Sequence, residues 1–429
     1  MDEKKLAKIR KNNMKIYPIY KMIGLDWVFY YGIRVLFLTQ VKNISAADIV
    51  LAGSFYAFFY IIFQISNMVL IEKIGKKKSI VLGQFLNLIS MGIILYCPNF
   101  SWLLASQVLC AMGFGLKGIA ESNLLTVSIP KAKKEGEIFS RIDSRGYSKF
   151  CFVGASSVLI SGFLYAFNPY IPIVLCMIVN LIALIISTNF IDIERIENPK
   201  QNKDFKNEII DILKDLKEGF KFILHSKRLR ALLIMLGTMW GIIDVFATYQ
   251  ETLLKELNIP SYYIGFMLAG FQMLVGIFST KSNSFNRKYK NRTLTYIGLM
   301  LTIGSVILGI TTLLKIPFEI QLMIITMVFI LRAYAKGIYQ VLKKRYMNNF
   351  SNNAILPKIY SVNGIMANLG RMIIGIIASA ILRITSIQNS LLILGIVCTI
   401  MVIILSIYSK NKLGLKPEKY TEKDICIKQ

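Results

Sequence analysis

Residues 68–80 read Met68-Val69-Leu70-Ile71-Glu72-Lys73-Ile74-Gly75-Lys76-Lys77-Lys78-Ser79-Ile80. They join two apolar runs, near residues 48 to 70 and 79 to 97, through a short basic connection. A run of about 20 apolar residues at ~1.5 Å per residue crosses roughly 30 Å of hydrocarbon, so each run reads as a membrane-spanning helix and the connection as a water-facing hairpin. Working outward, the same pattern recurs near residues 16 to 38, 102 to 124, 146 to 167, 171 to 190, 230 to 254, 261 to 280, 293 to 314, 318 to 341, 359 to 382 and 390 to 408, twelve spans in all. Composition agrees: 55% of the 429 residues are hydrophobic and 17% charged. Mean hydropathy is +0.54. These values exclude an ordinary soluble protein of this size.

The 51 Lys and Arg against 24 Asp and Glu give a net charge of +27. On one folded face such an excess would point to nucleic acid, but here the cations sit between apolar runs, so no nucleic-acid partner is expected. One alternating set of loops carries Lys73, Lys76, Lys77 and Lys78; Lys131, Lys133 and Lys134; Lys281, Arg287, Lys288, Lys290 and Arg292; and Lys343, Lys344 and Arg345. The opposite set holds little beyond Lys42, Lys255, Lys315 and Arg383. Cytoplasmic loops retain Lys and Arg, so both basic termini are expected inside the cell, facing anionic inner-leaflet lipid. Pro98, Pro130, Pro169, Pro172, Pro199, Pro260, Pro317, Pro357 and Pro417 fall at the connections, and no proline is placed in mid-span. The hydrophilic leader Met1 to Lys15 precedes a first span longer than a signal-peptide core and without a small-x-small cleavage site, so it is expected to be retained.

Several function classes drop out. Cys97, Cys110, Cys151, Cys176, Cys398 and Cys426 show no CxxC spacing, and His225 is the single histidine. Neither a zinc site, a disulfide framework nor a Ser-His-Asp hydrolase follows from these. With no catalytic constellation and no Walker A sequence, the expectation is a carrier without metal or cofactor, not an enzyme, driven by an ion or substrate gradient.

The chain also repeats itself. A polar stretch, Asp192 to Arg228, separates spans one to six from spans seven to twelve, and its Ile209, Ile210, Leu213, Leu216, Phe220 and Leu224 recur at helical spacing. This divides the chain into a first bundle, residues 1–190, a linker with an amphipathic helix, residues 191–228, and a second bundle, residues 229–429. Shifting the first half by about 217 residues aligns Leu116-Lys117-Gly118-Ile119 with Ala335-Lys336-Gly337-Ile338 and brings Asp26 close to Asp244. Two six-helix halves in parallel repeat are one transporter architecture.

Ionisable residues inside spans cost several kcal/mol by most scales, roughly 2.5 to 3.5 on insertion scales, and mark pathways or partners. Asp26, Tyr30 and Arg34 in span one are spaced to share a helical face, as are Lys117 and Glu121 in span four, Asp244 and Glu251 in span seven, and Arg332, Lys336 and Gln340 in span ten. Asp26, Asp244 and Glu121 are the candidate proton-coupling carboxylates; static ion pairs, such as Lys117 with Glu121 one turn away, are the alternative. Tyr30, Arg34, Lys117, Tyr249, Gln250, Arg332 and Lys336 are the candidate substrate contacts, and the surplus of cations suits an anionic or zwitterionic substrate group.

Leu70-Ile71-Glu72-Lys73-Ile74-Gly75-Lys76-Lys77-Lys78 resembles the major facilitator superfamily signature G-x-L-A-D-R-x-G-R-K, with Met68 for the first glycine, Glu72 for the aspartate and lysines for the arginines. The resemblance implies an all-α membrane protein, twelve transmembrane helices in two pseudo-symmetric six-helix bundles, with spans one, four, seven and ten lining the central cavity. It also implies a gating role for Glu72, Gly75, Lys76 and Lys77, with Arg371 as a structural residue or a partner of that loop; the positive-inside rule accounts for the lysines equally well. Asp26-Trp27-Val28-Phe29-Tyr30-Tyr31-Gly32 is similar to the E-x-x-E-R-F-x-Y-Y-G signature of proton-coupled oligopeptide transporters, with Ile23 and Trp27 where a glutamate and the arginine belong. Gly154-Ala155-Ser156 and Ser161-Gly162 echo the glycine-rich antiporter motif without its proline, and Glu121-Ser122, Gly136 and Gly162-Phe163-Leu164-Tyr165 resemble the bacterial drug-efflux-type branch. The expectation is a monomeric, proton-coupled exporter of a drug-like or metabolite small molecule in the inner membrane, with uptake of a peptide, amino acid or similar nutrient as the rival.

Overall fold

The computed structural model describes residues 3–130, 135–193, 214, 226–289, 292–314, 316–349 and 356–410. Helices α1 to α7 are Glu3–Gly24, Ala46–Ile74, Lys76–Tyr96, Phe100–Ser128, Glu135–Phe167, Ile171–Thr188 and Lys227–Glu256. Helices α8 to α13 are Ser261–Ser279, Ser282–Tyr289, Thr293–Leu313, Phe318–Asn349, Leu356–Ile384 and Ile387–Ser409. All of these except α1 and the eight-residue α9 are long and apolar enough to cross a membrane, eleven among the described residues. Large apolar side chains such as Phe152, Phe167, Phe266 and Ile407 are exposed on their outer faces, as lipid contact requires, while Ser, Asn and Gln side chains sit inside. Most of the expected amphipathic linker helix, and the loop lysines Lys131, Lys133 and Lys134, lie outside the described residues.

The helices cluster into two compact units. One takes residues 1–44, 59–213 and 260–269, the other residues 45–58, 214–259 and 270–429. In the first, α3 packs against α4 and α6, and α1 against α5. In the second, α7 packs against α12 and α10 against α13.

Three expectations about the spans are corrected. The leader is not a separate segment but the first part of α1, anchored by Asn13, whose amide donates to Ser128 Oγ at 3.0 Å and Ile191 O at 2.8 Å and accepts from Ile191 N at 3.1 Å. Pro18 lies inside α1. Span ten continues to Asn349, so Lys343, Lys344 and Arg345 belong to α11 and not to a loop.

The largest correction concerns span one, which is not one helix. α1 stops at Gly24; residues 25–33 form turns, and the chain resumes as Arg34–Leu36 running into a π-helix, Phe37–Val41. The local sequence explains the stop: Gly24 is a weak helix former, Asp26 bonds its neighbouring backbone, and the aromatic run that follows loses side-chain freedom in a helix. Phe29 adopts φ 69°, a left-handed conformation rare for a bulky residue, at an expected cost of about 1–2 kcal/mol. Irregular backbone at membrane depth survives only when its polar groups are satisfied inside protein or water. Here Val28 N donates to Asp26 O at 3.1 Å, Ile33 N to Tyr30 O at 3.1 Å, and Trp27 N to Asp26 Oδ1 at 2.9 Å. Gly32 lets the break press on α5: a Cβ there would stand 2.5 Å from Ser161 Oγ.

Candidate functional site

The break in span one organises the polar interior of the first unit. Lys117 of α4 is 2% exposed and donates to Gly24 O, the carbonyl at the end of α1, at 2.5 Å and to Gln84 Oε1 at 3.1 Å. Gln84 is itself held by Asn180, whose Oδ1 accepts from its amide at 2.9 Å. The ammonium also lies 4.2 Å from the Phe114 ring centroid. A helix end leaves carbonyls without partners, and a cation there satisfies both the hydrogen bond and the helix dipole. Lys117 thus makes contacts between helices and not the Lys117–Glu121 ion pair that stood as the alternative reading.

Glu121 lies one turn away, 5% exposed, and its Oε2 has no hydrogen-bond partner. The groups that act on it electrostatically are Lys117 of its own helix, Lys21, Tyr17 and Tyr20 of α1, Tyr60 of α2, and Asp143 of α5. Lys21 is ion-paired with Asp143, which also accepts from Tyr17 OH at 2.9 Å. Asp26 accepts from Tyr31 OH at 3.1 Å, and the Arg34 guanidinium stands 5.8 Å from the Tyr31 ring. Because the helix is broken, Asp26, Tyr30 and Arg34 do not share a continuous helical face. Trp27 packs edge-on against Tyr30 and Phe114, and its buried indole N–H has no partner.

In the second unit a different device places the charges. Gly237 and Gly241, one turn apart on α7, meet α12 so closely that a Cβ on Gly241 would be 2.5 Å from Gly370 O. A Cβ on Gly370 would be 2.2 Å from Gly237 O. Small residues at this spacing let membrane helices approach backbone to backbone. The approach brings Asp244 within 2.6 Å of Arg371, whose guanidinium also lies 4.8 Å from the Tyr56 ring. Arg371 thus joins Asp244 within this unit. Tyr249 donates to Ala378 O at 2.8 Å, tying α7 to α12, and Gln250 is buried with an unpartnered Nε2.

Arg332 of α11, 3% exposed, directs its guanidinium to Phe246 O at 3.4 Å, lies 5.1 Å from the Phe246 ring, and has an unpartnered Nε. A Cβ on Gly304 would be 3.5 Å from its stem. Lys117 has the same surroundings: a carbonyl of the first helix of its half, an aromatic ring, and a glycine of the third helix, since a Cβ on Gly83 would be 3.0 Å from Lys117 Cβ. Sequence register pairs Lys117 with Lys336; the packing makes Arg332 its counterpart. Lys336 lies 5.5 Å from the Phe271 ring.

At the quoted hairpin, Gly75 is the whole connection between α2 and α3 and takes φ 89°, open to glycine at little cost and disfavoured for other residues. Lys76 N, in the first turn of α3, donates to Asp192 Oδ2 at 2.6 Å, an anion at a helix N-terminus. Glu72 and Lys73 are exposed at the end of α2, and Lys77 is half-buried in the first turn of α3. Sequence reasoning missed Tyr17, Lys21, Asp143, Gln84, Asn180 and Asp192. Each is a polar residue in or beside an apolar run, a signal present in the sequence; the Gly237-x-x-x-Gly241 spacing was equally legible.

Comparison with known proteins places this architecture. The family model described as Major Facilitator Superfamily matches residues 16–342. A Bacillus subtilis (strain 168) protein described as an uncharacterized MFS-type transporter, YxaM, is 22% identical over 399 residues, covering 92% of this chain and 96% of its own. Among solved structures, a variant of the nucleoside transporter NupG superposes with TM-score 0.71 at 10% identity, over 94% of this chain and 99% of that one. A D-xylose-proton symporter gives TM-score 0.69 at 13% identity, over 91% and 96%. At such identities the likeness is one of fold.

Proposed function

Because this chain belongs to the Major Facilitator Superfamily, we propose that it is a proton-coupled secondary transporter of the inner membrane, working as a monomer by alternating access to export a drug-like or metabolite small molecule. The observation that carries the reading is the break at residues 25–33, which sets Asp26 and Tyr31 on irregular backbone, with Arg34 at its end, beside Trp27, Phe114 and the Lys117 cap. A discontinuous span with an acid at the discontinuity is how many carriers build a midplane site for substrate and coupling ion. Asp26, Asp244 and Glu121 are the proton-coupling carboxylates of this reading, with Asp244 ion-paired to Arg371 at 2.6 Å. Protonation biases the equilibrium between states by as much as the two states differ in proton affinity. The basic loops put both termini on the cytoplasmic side, and the Glu72 to Lys77 hairpin, with its Asp192 contact, serves as a conformational brace. Export follows the likeness of the first half to the drug-efflux-type branch.

A second reading, proton-coupled uptake of a zwitterionic or anionic nutrient such as a peptide or amino acid, is favoured by one observation. The residues similar to the oligopeptide-transporter signature, Asp26 to Gly32, are those of the break. One solved structure of the same fold is that of a D-xylose-proton symporter, which is in keeping with proton-coupled uptake. The test is transport in proteoliposomes under an imposed pH gradient, with internal pH read while pools of antibiotics, dyes, peptides and organic anions are screened. Substrate-dependent proton flux is the expected result; substrate movement without proton flux contradicts the coupling assignment.

A further inference from the structure

In the second unit Arg332, Lys336 and Lys343 of α11 lie at i, i+4 and i+11, within about 40° of one helical stripe roughly 16 Å long. Each cation rests on an aromatic ring of a neighbouring helix, Arg332 on Phe246, Lys336 on Phe271 and Lys343 on Trp240 at 5.1 Å, and Lys343 also lies 5.7 Å from Tyr339, one turn back on its own helix. Lys343 reaches these rings because helical side chains lean toward the helix N-terminus, which carries its ammonium up into the bundle and away from the loop. Trp240 and Tyr339 are stacked at 6.5 Å and 20°, and Tyr339 is pinned by its hydroxyl to Leu236 O at 2.9 Å. Lys343 and Trp240 are both half-buried, so this end of the stripe is accessible.

Among the described residues neither Arg332 nor Lys343 has an acidic partner; Asp244 is engaged by Arg371. An aromatic face holds an ammonium in place but accepts no hydrogen bond in the way a carboxylate does, so the N–H donors of Lys343 remain for another acceptor. A buried guanidinium with an unpartnered nitrogen is costly unless an anion completes it.

We propose that this stripe is a binding track for an organic anion, a carboxylate or phosphate attached to a planar ring, with Lys343 and the Trp240–Tyr339 stack forming its first station and Arg332 its innermost one. The inference rests on the transporter reading and names its substrate class. It assigns Lys343, which sequence reasoning had left among the loop charges, and Trp240 to substrate recognition.

Binding to the purified full chain in detergent tests it independently of transport. The probes are indole-3-acetate, benzoate and phenyl phosphate, each set against its ring-matched amine, with thermal stabilisation and tryptophan fluorescence as readouts. The expected result is saturable stabilisation by an anion and none by the amine. Lys343→Gln should weaken that binding by about tenfold, the loss of one charge-assisted contact, and Lys343→Arg should restore it. Trp240→Leu should abolish the fluorescence response while the chain still folds, as judged by its melting transition. The carboxylate and phosphate arms separate the two headgroups. Preference for amines, equal response to both signs, or anion binding untouched by Lys343→Gln overturns the proposal. Anion binding without any transport leaves the track standing and defeats the transporter reading; proton-coupled transport indifferent to every anion does the reverse.

Discussion

Replacing Lys117 by Met keeps the volume of the side chain and removes its charge. In the structure the ammonium satisfies two acceptors, Gly24 O and Gln84 Oε1, on two other helices. Charge-assisted bonds contribute about 1.5–3 kcal/mol each, though interhelical bonds within membranes average nearer ~0.6 kcal/mol. Removing a buried ammonium also relieves its desolvation, which offsets part of the loss. The expected net destabilisation is about 2–4 kcal/mol, because a helix-end carbonyl and a buried amide oxygen are left without a donor. The assay is reversible unfolding of the purified chain in mixed micelles, run as a cycle with Gln84→Leu and the double variant. Residues sharing one hydrogen-bond network should show a coupling of about 0.5–2 kcal/mol. Amide exchange across residues 25–33 should rise in Lys117→Met. A variant as stable as the parent, or energies that add within ~0.3 kcal/mol, would refute the idea that Lys117 holds the α1 break.

Other outcomes follow from the packing. Gly370→Ala should drive α7 from α12, since its Cβ would meet Gly237 O at 2.2 Å, and should cost as much transport as Asp244→Asn; cysteine cross-linking across the α7–α12 contact reads the separation. Gly75→Val should cost about 1–3 kcal/mol in the same unfolding assay, because the connection needs a positive φ. Arg383→Ala, which removes an exposed pair with Asp48 at 2.5 Å, should change stability by no more than about 1 kcal/mol.

How much was legible in the sequence depends on which force set each feature. Eleven spans were legible because hydrophobic length is a local property that the bilayer imposes on every segment alike. The end of span ten was misplaced by the same logic: Lys343 to Arg345 looked like loop charges, although a lysine stem can stay on a helix while its head finds a ring on the neighbouring helix. Span one was misread because apolar character says where a segment lies, not whether its backbone stays helical; the cation that meets the freed Gly24 O, Lys117, lies more than ninety residues on. The carboxylates and cations stood out as residue types, but their partners did not. Asp244 with Arg371 needs the glycine contact between α7 and α12, and Lys21 with Asp143 needs α1 against α5. The repeat register failed at Lys117 for a related reason, since packing position and not sequence alignment decides which cation meets the carbonyl.

The most direct test of proton coupling at the broken first span is transport by Asp26→Asn in sealed proteoliposomes, measured both as accumulation driven by a pH gradient and as substrate exchange without one. The account predicts that gradient-driven accumulation is lost and exchange persists, with the chain's melting transition intact. Full pH-dependent accumulation in that variant would contradict it.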